Sequence, residues 1–145
     1  MSARSLAENF FGRLQAGEVG EVIGLMTPDA SMSLVPLNRH GPMATDGAAY
    51  VRELVRSFPD LVVRVRRLFV TADNTAVAEI TIEGTQADDF LAVVNQEKHV
   101  ELDQAWMLKV TPDDRISAVT AYWDQNQLYR RLGVKRLDQV TITAG

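Results

Sequence analysis

An α+β fold is predicted for this chain on three observations. Apolar residues recur at helical spacing in three stretches between Leu6 and Phe58, and from Leu61 to Trp123 the period changes to two. Pro-Asp and Asp-Asn pairs separate the segments. Helices followed by antiparallel hairpins define the α+β layout, and a strongly curved sheet closed by helices leaves a pocket in the mouth of a cone.

Each element has its own signal. Leu6, Phe10 and Leu14, with Ala7 and Phe11 beside them, form the stripe of a first helix. Val22, Ile23 and Met26 supply a second, short one after Gly17 and Gly20, and Thr27-Pro28-Asp29 breaks it. Residues 30–36 read as extended, carrying Met32 and Leu34, and 37–47 as a loop rich in glycine, proline and polar residues. A third helix begins near Asp46, with Val51, Leu54, Val55 and Phe58 as its apolar face, and ends at Phe58-Pro59-Asp60. Strands follow at 61–71, 75–85, 99–110 and 115–123, with a loop at 86–98. Helix 125–132 stops at Gly133, and the tail 134–145 offers a short strand at Val140–Thr143.

Composition narrows the function classes. One domain over 1–145 is the natural reading of 145 residues, 46% of them hydrophobic and 23% charged. A net charge of −4 gives no basic footprint for nucleic acid or an anionic membrane. With no cysteine there is no disulfide, thiolate nucleophile or cysteine-bound zinc. The two histidines, His40 and His99, lie too far apart for metal-ligand spacing, so no metal is expected. No glycine-rich phosphate loop or nucleophile elbow is present, and no cofactor is expected. The N-terminus lacks a signal-peptide core and no apolar run is long enough to span a membrane, so a cytoplasmic location is expected.

The ending Ala118-Val-Thr-Ala-Tyr-Trp-Asp124 through Leu132-Gly133 resembles the nuclear transport factor 2-like superfamily, especially its SnoaL-like polyketide cyclases and ketosteroid isomerases. Thr27-Pro28-Asp29-Ala30, Phe58-Pro59-Asp60 and Glu83-Gly84-Thr85-Gln86 extend the resemblance over most of the chain. It implies a cone-shaped antiparallel sheet closed by N-terminal helices, an apolar small-molecule ligand and a homodimer formed through the convex sheet. It does not carry the family's chemistry intact. The SnoaL-like acid/base aspartate on the last strand corresponds to Ala121, and the assisting histidine to Trp106, while a pocket glutamine is kept as Gln104. The ketosteroid isomerase base falls at about Leu34, its oxyanion-hole aspartate at Trp106 and its first-helix tyrosine near Phe10, Phe11 and Leu14; Trp123 matches an active-site tryptophan. The arginine–aspartate pair of limonene epoxide hydrolases falls near Ile80 and Ile82.

The expected site is therefore a hollow lined by Trp106 and Trp123, which share inward parity on adjacent strands, with Gln104 between them. Each tryptophan serves equally as core filler or as a platform for a flat ring. Gln104, His40 and Asp124 are the candidate catalytic residues. A buried amide needs a partner, from a neighbour or from a ligand carbonyl. A histidine titrates near neutrality, although an exposed loop histidine is the plainer reading. Asp124 with Gln127 three residues on also reads as a helix cap. Met32, Leu34, Tyr50, Phe58 and Ala121 complete the substrate wall. The expected activity is cyclisation, isomerisation or hydroxylation of a polyketide-like substrate in small-molecule biosynthesis, with aldol-type closure disfavoured by Ala121. A non-catalytic binding or accessory protein is the alternative. A protein-interaction module fits less well, because the outward residues Arg64, Arg66, Glu79 and Glu83 are charged.

Overall fold

The computed structural model describes residues 2–134. Helix α1, Ala3–Gln15, starts where the Ser2 hydroxyl accepts a bond from the Ser5 N–H. Its stripe Leu6, Ala7, Phe10, Phe11 and Leu14 is buried, as the spacing predicts. Helix α2, Val19–Gly24, buries only Val22. Strand β1, Met26–Leu34, begins earlier than the expected extended segment, so Met26 belongs to the sheet and not to the helical stripe. Its Met32 and Leu34 alternate inward.

The expected loop 37–47 is more structured than its composition suggests. A short 3-10 turn, Val35–Leu37, leads into strand β2, Arg39–Pro42, which pairs back on β1 with Ser33 opposite His40 and Met32 opposite Gly41. A π-helical turn, Met43–Gly47, then feeds helix α3, Ala48–Ser57. Polar residues and Gly-Pro hid this edge strand, because an edge needs few apolar side chains and tolerates proline.

Strands β3, Val62–Val70, β4, Thr75–Thr85, β5, His99–Val110, and β6, Ile116–Trp123, fall close to the ranges read from their alternation. The sheet order is β2-β1-β6-β5-β4-β3. Every neighbouring pair is antiparallel except β1 with β6. Strand β3 is an edge with a register shift between Val65 and Arg67, and none of its residues is fully buried. At the far end of β4, Gly84 sits where an added Cβ would lie 3.1 Å from both Phe58 Cβ and Asp60 Oδ1. Asp60 also accepts a 2.8 Å bond from the Thr85 N–H, so the Phe58–Asp60 junction clamps this strand end.

Helix α4, Gln125–Arg131, is capped by Asp124, and Gly133 follows at φ +78°. The predicted strand in the tail lies outside the described residues. Helix α1 packs against the inner sheet face and α3 runs over β1 through the π-helical turn.

Candidate functional site

The inner sheet face is divided between a solid core and a cavity. At one end, Trp106 is completely buried. Its ring centroid lies 5.8 Å from that of Phe10 and 5.9 Å from that of Phe11. Its indole N–H donates to Gln104 Oε1 at 2.8 Å. The expected indole-lined hollow is thus filled by α1. Inward parity identifies a residue that leaves solvent, but it does not say whether a ligand or a second aromatic pair covers it.

The cavity lies at the other end, between the β1–β2 hairpin and the start of α3. It holds about 370 Å³. Met32, Leu34 and the Tyr50 ring supply its apolar surface, and Asn38, Arg39, Asp46 and Glu53 its polar surface. The sequence places these groups through two periodicities. Asp46, Ala49, Tyr50 and Glu53 follow helical i, i+3, i+4, i+7 spacing along α3 and its π-helical lead-in. Met32 and Leu34 share one strand face. Asp46 presses close on the hairpin, since an added Cβ on Gly41 would collide with its carboxylate and have to displace it.

Tyr50 joins the cavity to the core. It is stacked nearly parallel to Trp123, with centroids 6.2 Å apart and planes at 10°. Phe90 touches it from the 86–98 loop at 6.4 Å. The Tyr50 hydroxyl is buried and completes no hydrogen bond among the described residues. The Gln104 side chain favours the phenolate slightly, although the hydroxyl forms no hydrogen bond with it. Burial first, then the Glu53 charge, push the phenol well above its usual value, and it stays neutral.

With this architecture in place, a family model for SnoaL-like polyketide cyclases matches residues 25–132. The chain belongs to the SnoaL-like polyketide cyclase family. Its fold is that of solved nuclear transport factor 2-like and ketosteroid isomerase-like proteins. The chain is similar to AclR, a candidate hydroxylase from Streptomyces galilaeus, with TM-score 0.79 and 18% identity over 90% of this chain and 80% of that one. A candidate polyketide cyclase from Pseudomonas putida KT2440 superimposes with TM-score 0.78 and 18% identity, covering 92% of this chain and 99% of the other. The epoxide hydrolase/cyclase-like enzyme SalBIII, of pyran ring formation in polyether salinomycin, gives TM-score 0.71 and 16% identity over 86% and 92%. No curated protein sequence matches the chain.

In this SnoaL-like chain the expected site residues separate into groups. Met32, Leu34, Tyr50 and His40 border the cavity. His40, however, directs Nδ1 to Ser33 Oγ at 3.0 Å, its cross-strand partner. That pairing puts the ring on the strand face opposite Met32 and Leu34. Trp106, Phe58 and Ala121 are enclosed in the core: Phe58 packs edge-on against Phe90 at 5.0 Å, and Ala121 lies opposite Trp106 on β5 and Leu34 on β1. None of the three lines the cavity.

Gln104 spends its carbonyl on Trp106 instead of facing the cavity. Asp124 accepts from the N–H groups of Asn126 and Gln127 at 2.9 and 3.2 Å, which is the cap its position suggested. Trp123 is half-buried, and its N–H donates to Gln125 at 2.7 Å. Gln104, Trp123 and Asp124 do meet at a second, more open groove of about 470 Å³, walled by the outward residues Arg66, Glu79, Asp103, Ala105 and Tyr122. Arg66 and Asp103 are ion-paired there at 3.0 Å. Among the cavity residues that the sequence reading passed over are Glu53 and Ala49. Their spacing from Asp46 and Tyr50 was the available signal, masked by the charged run Arg52-Glu53 that reads as a solvated face.

Among the described residues no three His, Asp or Glu side chains gather as a metal site. Nor, among these residues, is any helix long and apolar enough to cross a membrane.

Proposed function

We propose that this chain is a small-molecule biosynthetic enzyme acting on a polyketide-like, largely apolar substrate held between the β1–β2 hairpin and α3, by cyclisation, isomerisation or hydroxylation. The observation that carries this reading is the composition of the cavity. An apolar floor of Met32, Leu34 and Tyr50 faces the ionisable side chains of Arg39, Asp46 and Glu53. A few polar groups over an apolar surface orient a ring-bearing ligand, and a site of this size takes a compact one. Relatives described as hydroxylase, cyclase and epoxide hydrolase-like enzymes support an enzyme in this fold without choosing among those reactions. Holding a flexible substrate in one reactive geometry contributes much of the rate in such a site.

The alternative, a non-catalytic binding or accessory protein, draws on Ala121 and Trp106, which leave no acid or base at the expected strand positions. A panel of aromatic polyketides and product analysis tests the choice. Turnover that disappears when Ala49→Trp fills the cavity supports the enzyme. Binding without any product from the panel favours the accessory protein. We further propose a homodimer through the convex sheet and a cytoplasmic location. A stable monomer by sedimentation would end the first proposal, and fractionation of the expressing cells tests the second.

A further inference from the structure

Of the ionisable groups bordering the cavity, Arg39, His40 and Asp46 are exposed, whereas Glu53 is half-buried. Glu53 Oε1 accepts a 3.0 Å bond from the Leu91 N–H, reaching across from α3 to the 86–98 loop. Its Oε2 has no hydrogen bond, and the carboxylate no ion pair, among the described residues. The donor is itself firmly placed. Leu91 and Ala92 hold consecutive left-handed conformations at φ +48° and +67°, which non-glycine residues keep only where their surroundings fix them. Phe90, one residue earlier, is wedged between Phe58 and Tyr50. The Ser57 hydroxyl donates to the Asp89 carbonyl at 2.8 Å, and Arg56 pairs with Asp88 at 3.0 Å. The loop tip is thus pinned to α3 at several points around Glu53.

A carboxylate with one oxygen locked by a backbone amide and the other free, beside an apolar floor, has the form of an oriented proton acceptor. We propose that Glu53 is the catalytic acid/base of the cavity, and that the Leu91 amide is its positioning group. The proposal rests on the reading of the cavity as the reaction site. The step is a proton transfer from an acidic carbon next to a carbonyl. The C–H bond breaks, its proton goes to Glu53 Oε2 and its electron pair becomes the enolate. Return of a proton from Glu53 to carbon closes the cycle, and no other reactant is consumed. Arg39, also on the cavity wall, supplies the positive charge that opposes the enolate. Asp46 competes poorly for the role, since it is exposed and no backbone amide among the described residues holds it.

The test uses the full chain with 2-tetralone, a compact bicyclic ketone with an acidic benzylic carbon, in deuterated buffer. Proton NMR follows deuterium uptake at that carbon, and the Met32 methyl signal follows binding. The expected result is protein-dependent uptake that Glu53→Gln lowers at least about tenfold, with the Met32 shift retained. Glutamine keeps an oxygen for the Leu91 N–H, so the fold and the loop are preserved, which the Leu91 amide resonance verifies. Uptake unchanged in Glu53→Gln would overturn the assignment. So would a wild-type chain that binds the ketone without accelerating exchange, and this result leaves the cavity reading standing. Absence of binding at Met32 would overturn both.

Discussion

Replacing Trp106 by phenylalanine and Gln104 by leucine, singly and together, separates a structural amide from a ligand-binding one. In the fold, the Trp106 N–H and Gln104 Oε1 satisfy each other 2.8 Å apart, with 0% and 6% of the two residues exposed. Trp106→Phe leaves the Gln104 oxygen without its donor, at a cost of about 1–3 kcal/mol. It also opens space against Phe10 and Phe11, which adds about 1 kcal/mol more. Gln104→Leu strands the indole N–H at a similar cost of about 1–3 kcal/mol and removes the polar neighbour of the Tyr50 hydroxyl. In the double variant neither group is left waiting for the other. The two changes should therefore be less than additive by about 1–2 kcal/mol. Urea unfolding followed by far-ultraviolet circular dichroism measures each free energy. Additivity within about 0.5 kcal/mol would refute the coupling. So would a Trp106→Phe variant of undiminished stability that no longer binds ligand, because that result returns the indole to the substrate wall.

The remaining expectations concern the cap, the cavity and the outer face. Asp124→Ala removes the acceptor for two helix N–H groups and should cost about 1 kcal/mol, measured by denaturation, while ligand affinity at the cavity stays unchanged. Ala49→Trp should lower affinity for an aromatic ligand at least about tenfold by filling the space beside Tyr50, read by titration calorimetry, with thermal stability nearly constant because position 49 is exposed. The Thr81 hydroxyl, bonded to Asp103 at 2.7 Å, and then Arg66 hold the Asp103 carboxyl below its usual range. A depressed carboxyl stabilises the fold above its unfolded value of about 3.9, and that contribution fades as pH falls through the folded value. Thr81→Val should raise the Asp103 midpoint in a carbon-13 titration and flatten the acid limb of stability against pH; an unmoved midpoint would contradict the assigned cause.

The strands were legible because β4, β5 and β6 each bury one face, which imprints alternation on the sequence. Asp124 was legible as a cap because an acid and a glutamine three residues apart have a local use. The hairpin strand Arg39–Pro42 was not, since an edge strand buries too little to leave a pattern. The site was half legible. Met32, Leu34 and Tyr50 carry the apolar spacing that brings them to the cavity, but Trp106 carries the same signal and ends in the core, because Phe10 and Phe11 of α1 reach it first. Glu53 required the third dimension: its partner, the Leu91 amide, lies in a loop with no period of its own. The family's usual positions gave no help, as Ala121 and Trp106 have turned apolar and the ionisable groups lie on α3 and β2 instead.

Methyl-labelled methionine offers the most direct view of where a ligand goes. Met32 lies on the cavity wall, Met26 is buried away from it, and Met107 is exposed on the outer sheet face. Titration with a compact aromatic ketone should shift Met32 and leave Met26 and Met107 in place. Movement of Met107 with Met32 silent would put the binding surface on the convex side of the sheet and contradict a cavity beneath α3.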